Sequence, residues 1–80
     1  MSKNEIYPSL TVLGSTGSVG EQAIDVALQN GIQVNSLCAQ KNAKRVEEQA
    51  RQLRVKACAM ADENAAKTLK NALSDTDIKV

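Results

Sequence analysis

The sequence has no histidine, phenylalanine or tryptophan, and its one aromatic residue is Tyr7. Without imidazole there is no histidine to serve as a metal ligand or proton shuttle, and without large rings there is no aromatic-lined pocket. The apolar content is alanine, valine, leucine and isoleucine, which suits a thin helix–sheet–helix layer. Proline occurs once, at Pro8, at the end of a polar lead-in of residues 1 to 8; it cannot donate to a sheet but can precede a strand. Cysteine occurs twice, and Cys38 and Cys58 have neither Cys-x-x-Cys metal spacing nor the density of a disulfide framework, so both are expected as buried reduced thiols. The net charge of +1 excludes a strong general field for nucleic acid or membrane surfaces. No apolar run reaches spanning length and the N-terminus lacks the apolar core of a signal peptide, which points to the cytoplasm and to no membrane partner. Eighty residues make at most one small domain with a marginal core.

What the sequence does have is a concentrated motif. Leu10 to Leu13 is a short apolar and β-branched strand that runs directly into Gly14, Gly17 and Gly20, one glycine at every third position, and then into a helix. Where a strand passes through such a turn into a helix, the first helical N–H groups are unpaired and carry the positive end of the helix dipole. An anion fits there. Gly14 permits the tight turn, Gly17 lets backbone approach a pyrophosphate, and Gly20 lets the helix pack closely. Ser15, Thr16 and Ser18 add hydroxyl donors, and Ser18 with Glu21 reads as a capping box. The spacing is Gly-x-x-Gly-x-x-Gly, a variant of the commoner dinucleotide fingerprint.

Downstream, Val19, Ala23, Val26 and Ala27 fall at helical spacing, and Asn30-Gly31 supplies the stop. Ile32 to Ala39 reads as a second strand, and the pair of strands around one helix implies a right-handed crossover. Lys41 to Arg54 is an amphipathic helix on Val46, Ala50 and Leu53. Val55 to Met60 is a third strand, Asp62 is a helix N-cap, and Ala65, Ala66, Leu69, Ala72 and Leu73 form the next buried face. Ser74 to Asp77 make a polar turn before Ile78-Lys79-Val80, which alternates like the start of a fourth strand. The fold class is therefore α/β: a partial Rossmann-like parallel sheet in the order β-α-β-α-β-α-β. Because such a sheet wants helices on both faces, residues 1–80 are expected to be the N-terminal part of a larger nucleotide-binding domain.

In this fold the end of the second strand, about 20 residues past the glycines, lies beside the adenosine ribose. An acidic residue there favours NAD. This sequence has Gln40-Lys41-Asn42 followed by Lys44 and Arg45, and cations favour the 2′-phosphate of NADP. Asn42 also has the character of a helix N-cap, and Lys44, Arg45, Arg51, Arg54 and Lys56 fit a solvated face offset by Glu47 and Glu48 as well, the reading favoured for the last three.

The Leu13-Gly-Ser-Thr-Gly-Ser-Val-Gly20 turn, Asp25-Val26, Leu37-x-Ala39-x-Lys41-Asn42, Glu48-Gln49-Ala50 and Asp62-Glu63-x-Ala65 together resemble the N-terminus of the 1-deoxy-D-xylulose 5-phosphate reductoisomerases, from Leu10 to the end of the chain. That resemblance implies an NADPH-dependent enzyme of non-mevalonate isoprenoid biosynthesis. It rearranges and reduces 1-deoxy-D-xylulose 5-phosphate to 2-C-methyl-D-erythritol 4-phosphate with a divalent metal, magnesium or manganese, usually as a homodimer. Carried over by position, Thr16, Gly17, Ser18 and Val19 hold the cofactor phosphates, and Gln40, Lys41 and Asn42 its 2′-phosphate end. Gln40 stands where many members have glycine, which leaves its backbone as the part able to contribute. The family's catalytic and metal-binding residues belong to later sequence, so none is assigned among these 80. Asp62 with Glu63 and Asp75 with Asp77 read as a helix cap and a turn. Two alternatives stand beside this one: the N-terminus of a semialdehyde dehydrogenase, whose opening glycine turn is similar, and a non-catalytic nucleotide-sensing module.

Overall fold

A computed structural model describes residues 9–80; the lead-in that ends at Pro8 lies outside the described residues. The elements run β1 (Ser9–Leu13), α1 (Ser18–Asn30), β2 (Gln33–Ala39), α2 (Ala43–Leu53), β3 (Ala57–Met60) and α3 (Glu63–Ala72). The three strands are parallel in the order β1-β2-β3. A further parallel bridge joins Lys79 to Ala57, closed by Lys79 N–H to the Lys56 carbonyl at 3.1 Å and Cys58 N–H to the Lys79 carbonyl at 2.7 Å. The expected fourth strand is thus present as one bridge on the far side of β3. The α/β class and the alternation of elements agree with the sequence reading.

The layering differs from it. Each right-handed crossover steps the chain one strand further in the same direction, which puts α1, α2 and α3 on one face. Val12, Leu37 and Cys58, aligned across the strands, pack there with Ile24 and Ala27 of α1, Val46 and Ala50 of α2, Leu69 of α3 and Leu73 at its C-terminal end in a single core. The other face carries Thr11, Leu13, Ser36, Cys38, Ala57 and Ala59, with the Thr11 and Ser36 hydroxyls 2.7 Å apart across strands and Leu13 75% exposed. The described residues therefore make a two-layer unit, because all the crossovers run the same way.

A register slip makes this core possible. Leu10 pairs with Val34 but Thr11 pairs with Ser36, so Asn35 is an extra residue in β2. The bulge lets Val34 and Leu37, three apart, both point to the helices against the ordinary period of two. The buried line of α1 is Gly20, Ile24 and Ala27, whereas Val19 (78% exposed) and Val26 (53%) are open. Of the expected apolar positions Val19, Ala23, Val26 and Ala27, only Ala27 is buried; the other three lie on a side of the helix that no described element covers. Helix α1 ends at Gly31 in the left-handed conformation, as its Asn-Gly stop implies, while α2 ends on Arg54, a non-glycine residue at φ 54°. Cys38 and Cys58 are both free, but of the two expected to be buried only Cys58 is; Cys38 lies half-buried on the opposite, open face of the sheet. Burial, with Cys38 nearby, pushes the Cys58 thiol up to about 11.

Candidate functional site

Parallel strands end together, so the turns after β1, β2 and β3 emerge at one edge of the sheet. At that edge Leu13 lies beside Cys38, and the chain enters Gly14 at φ +67°, a conformation that costs any residue with a Cβ about 1–2 kcal/mol. Gly14 to Gly17 form a tight turn closed by Gly17 N–H to the Gly14 carbonyl at 3.0 Å. Ser15 is fully buried. Its N–H donates to the Cys38 carbonyl at 3.0 Å, and its carbonyl accepts from Gln49 Nε2 at 2.7 Å. The turn is therefore held by β2 on one side and α2 on the other.

Helix α1 starts immediately afterwards. Its N-cap is Gly17, with extended backbone and no side-chain cap bond, and Ser18 is the first helical residue. This corrects the capping box: Ser18 is one position too late to cap, and the Glu21 carboxylate is bound to Arg45 instead. The first helical bond is Glu21 N–H to the Gly17 carbonyl at 2.8 Å, which leaves the amides of Ser18, Val19 and Gly20 without helical acceptors. The glycines divide the work. A Cβ on Gly20 would run into the Gly14 carbonyl oxygen and come within 2.8 Å of Ser15 Cα, so this glycine lets the helix start press against the turn. A Cβ on Gly17 would meet only the Gly14 carbonyl, at an ordinary 3.5 Å, so nothing in the described residues requires glycine there. Its bareness leaves open backbone beside the free amides, as a site for a phosphate requires. Gly17, Ser18 and Val19 are exposed and Thr16 is half-buried.

The second segment follows β2. Gln40, Lys41 and Asn42 are exposed. The Gln40 carbonyl accepts the Asp62 N–H at 2.9 Å, which commits its backbone acceptor to the turn before α3. Asn42 caps α2, its Oδ1 accepting the Arg45 N–H at 3.1 Å, so its side-chain amide group is the part left to donate elsewhere. Lys41 and Lys44 are exposed cations at this edge. Arg45 is different: its guanidinium holds Glu21 through Nε at 2.7 Å and Nη2 at 2.6 Å, and Glu48 through Nη1 at 3.2 Å. It is a tie between α2 and α1, with its guanidinium already engaged by two carboxylates. Arg45 holds the Glu21 carboxyl below its usual range, against a smaller opposing effect of burial and with help from the Gln49 side chain.

The structure thus brings Thr16–Val19 and Gln40–Asn42 to one edge and joins the elements behind them through Gln49 and Arg45. Both joining residues escaped the sequence reading. Gln49 left a trace: it lies three residues after Val46, in phase with the apolar stripe, and a polar residue there is buried and needs a partner. Arg45 left none, because its partner is 24 positions away. Among the described residues no three or more histidine, cysteine, aspartate or glutamate side chains group as a metal site; Asp62 caps α3 and Asp75 pairs with Arg51. No helix of the described residues is long and apolar enough to cross a membrane.

Comparison with known proteins bears on this arrangement. The family model of 1-deoxy-D-xylulose 5-phosphate reductoisomerase matches residues 10–80. The reductoisomerase of Acetivibrio thermocellus is 48% identical over 71 residues, covering 89% of this chain and 19% of that protein. The structure of the Zymomonas mobilis reductoisomerase in complex with NADPH superposes with a TM-score of 0.84 at 30% identity, over 92% of this chain and 20% of that one. A second reductoisomerase structure, in complex with NADPH, fosmidomycin and magnesium, shares the fold at a TM-score of 0.81 and 20% identity, over 91% of this chain and 19% of its own. The chain accordingly spans about a fifth of the length of the proteins it matches. Over that span sequence and fold agree, and the chain belongs to the 1-deoxy-D-xylulose 5-phosphate reductoisomerase family.

Proposed function

We propose that residues 1–80 form the N-terminal part of the NADPH-binding domain of a reductoisomerase converting 1-deoxy-D-xylulose 5-phosphate to 2-C-methyl-D-erythritol 4-phosphate in non-mevalonate isoprenoid biosynthesis. The observation that carries this reading is the division of labour among the glycines: Gly20 is demanded by packing, while the bare Gly17 leaves open backbone beside the free amides of the α1 N-terminus. The family match favours it over a semialdehyde dehydrogenase or a sensing module.

In this reading Thr16, Gly17, Ser18 and Val19 bind the cofactor's pyrophosphate. Their amides donate along the α1 dipole, and the Thr16 and Ser18 hydroxyls add donors at the rim. Lys41 supplies a charge-assisted bond to the adenosine 2′-phosphate, Asn42 a neutral amide donor, and Gln40 frames the ribose end. Bound here, NADPH supplies the hydride for the reduction. The residues in this chain grip and orient it, fixing one reactant in place, and take no part in proton transfer. Catalytic residues and the ligands of a magnesium or manganese ion belong to other parts of the full-length protein, which we expect to be a cytoplasmic homodimer acting on a sugar phosphate. The Zymomonas mobilis relative is described with NADPH, and the more distant one with NADPH, fosmidomycin and magnesium, in keeping with these cofactors.

Turnover tests the proposal. The full-length protein carrying these residues should oxidise NADPH when given 1-deoxy-D-xylulose 5-phosphate and a divalent metal, and stop when the metal is chelated. Nucleotide binding with an inert sugar phosphate would leave the nucleotide site standing and remove the reductoisomerase activity.

A further inference from the structure

The geometry points to Gln49 as a positioning residue for the cofactor's pyrophosphate, acting through the peptide bond between Ser15 and Thr16; this rests on the nucleotide reading above. Gln49 is 1% exposed, and its Nε2 donates to the Ser15 carbonyl at 2.7 Å. In a trans peptide the carbonyl of one residue and the N–H of the next point in opposite directions. A Ser15 carbonyl drawn inward to α2 therefore turns the Thr16 N–H the opposite way, away from α2. Among the described residues that N–H has no acceptor. The same peptide is the central one of the Gly14–Gly17 turn, and it is the unit that rotates when a turn of this kind changes type. Ser15 N–H, held by Cys38, fixes the preceding peptide but not this one.

The junction is strained for hydrogen bonds in a way that marks it as more than packing. Besides the bond they share, Ser15 Oγ and Gln49 Oε1 are both buried without a partner among the described residues. An apolar residue of the same size would remove one of these orphans, yet the chain has a glutamine, and the Ser15 carbonyl is what that glutamine serves. Glu21 of α1 and Arg45 of α2, paired with each other, are the charged groups beside it.

The test uses the full-length protein and equilibrium titration with NADPH and NADH, which share the pyrophosphate and differ in the 2′-phosphate. Gln49→Leu keeps the volume but cannot donate, and is expected to weaken both nucleotides by about tenfold with their ratio unchanged, as befits one unmet hydrogen bond. Gln49→Glu gives a second readout. Its carboxylate repels the Ser15 carbonyl at pH 8, but burial beside Glu21 raises its titration, and the protonated form can donate as the glutamine did. Binding relative to the parent at the same pH should therefore be weak at about pH 8 and recover towards about pH 6. Melting of each variant without nucleotide accompanies the titrations; should Gln49→Leu fail to fold, the pH comparison decides. The inference is overturned if Gln49→Leu binds both nucleotides like the parent, if it loses NADPH selectively, or if Gln49→Glu shows no recovery. A parent that binds neither nucleotide overturns the nucleotide reading itself, and this inference with it.

Discussion

Arg45 grips Glu21 with two parallel hydrogen bonds, from Nε at 2.7 Å and Nη2 at 2.6 Å, and so ties the first turn of α2 to the first turn of α1. Those turns adjoin or overlap the two segments assigned to the cofactor's phosphates. The fork geometry suits guanidinium and carboxylate, and lysine could not reproduce it. Because Arg45 is occupied in this way, Arg45→Met should lower the melting temperature yet keep the preference for NADPH over NADH within about twofold, since removing a committed charge changes no contact to the 2′-phosphate. Thermal melting and paired titrations check both halves.

The same pair makes stability depend on acid. Arg45 lowers the folded-state titration of Glu21, and Arg51 does the same for Asp75. A carboxyl whose folded pKa is depressed contributes stability above its unfolded value and loses it as pH falls. The contribution is therefore full at neutral pH and fades below about pH 4.5, where the unfolded carboxylates begin to take up protons. Glu21→Gln should melt lower than the parent at pH 7, and the gap should narrow by about pH 3. A constant gap across that range would mean that the ion pair contributes nothing.

Gly17 and Gly20 should fail in different ways. Gly20→Ala drives a methyl group into the Gly14 carbonyl and is expected to destabilise by about 3 kcal/mol, the upper end of overpacking costs. Gly17→Ala meets only an ordinary contact at 3.5 Å, so its melting should stay close to the parent's while NADPH and NADH both bind about tenfold more weakly. Denaturant titration beside nucleotide titration separates these outcomes.

Arg54 is the one non-glycine residue among those described that holds a positive φ, at 54°, where α2 ends. Arg54→Gly removes the Cβ strain of the left-handed conformation and adds backbone freedom to the unfolded chain, and these effects oppose. The strain is the larger, so a gain of up to about 1 kcal/mol is expected in denaturant melts.

Much of this structure could be read from the chain because its local signals agree with one another. The glycine turn, the Asn30-Gly31 stop and the Asp62 cap each act within a few residues, and each element lies within two or three positions of its expected place. What escaped depends on distance in sequence. The Asn35 bulge is a mismatch between two strands, and the single-faced layering follows from the direction of successive crossovers. Serine followed by glutamate at the third position predicts a cap at Ser18 by a local rule, but Arg45, 24 residues on, claims that glutamate. Within the candidate site, the backbone cradle was legible and the polar supports behind it, Gln49 above all, were not.

The most direct measurement is the ratio of NADPH to NADH affinity in the full-length protein, taken for the parent and for Lys41→Glu. The parent should strongly prefer NADPH. Lys41→Glu should cut that preference by about tenfold or more by replacing a charge-assisted bond with repulsion, leaving NADH binding nearly unchanged. Equal affinity for both nucleotides in the parent, or an undiminished preference in the variant, would contradict the assignment of this edge of the sheet to the 2′-phosphate.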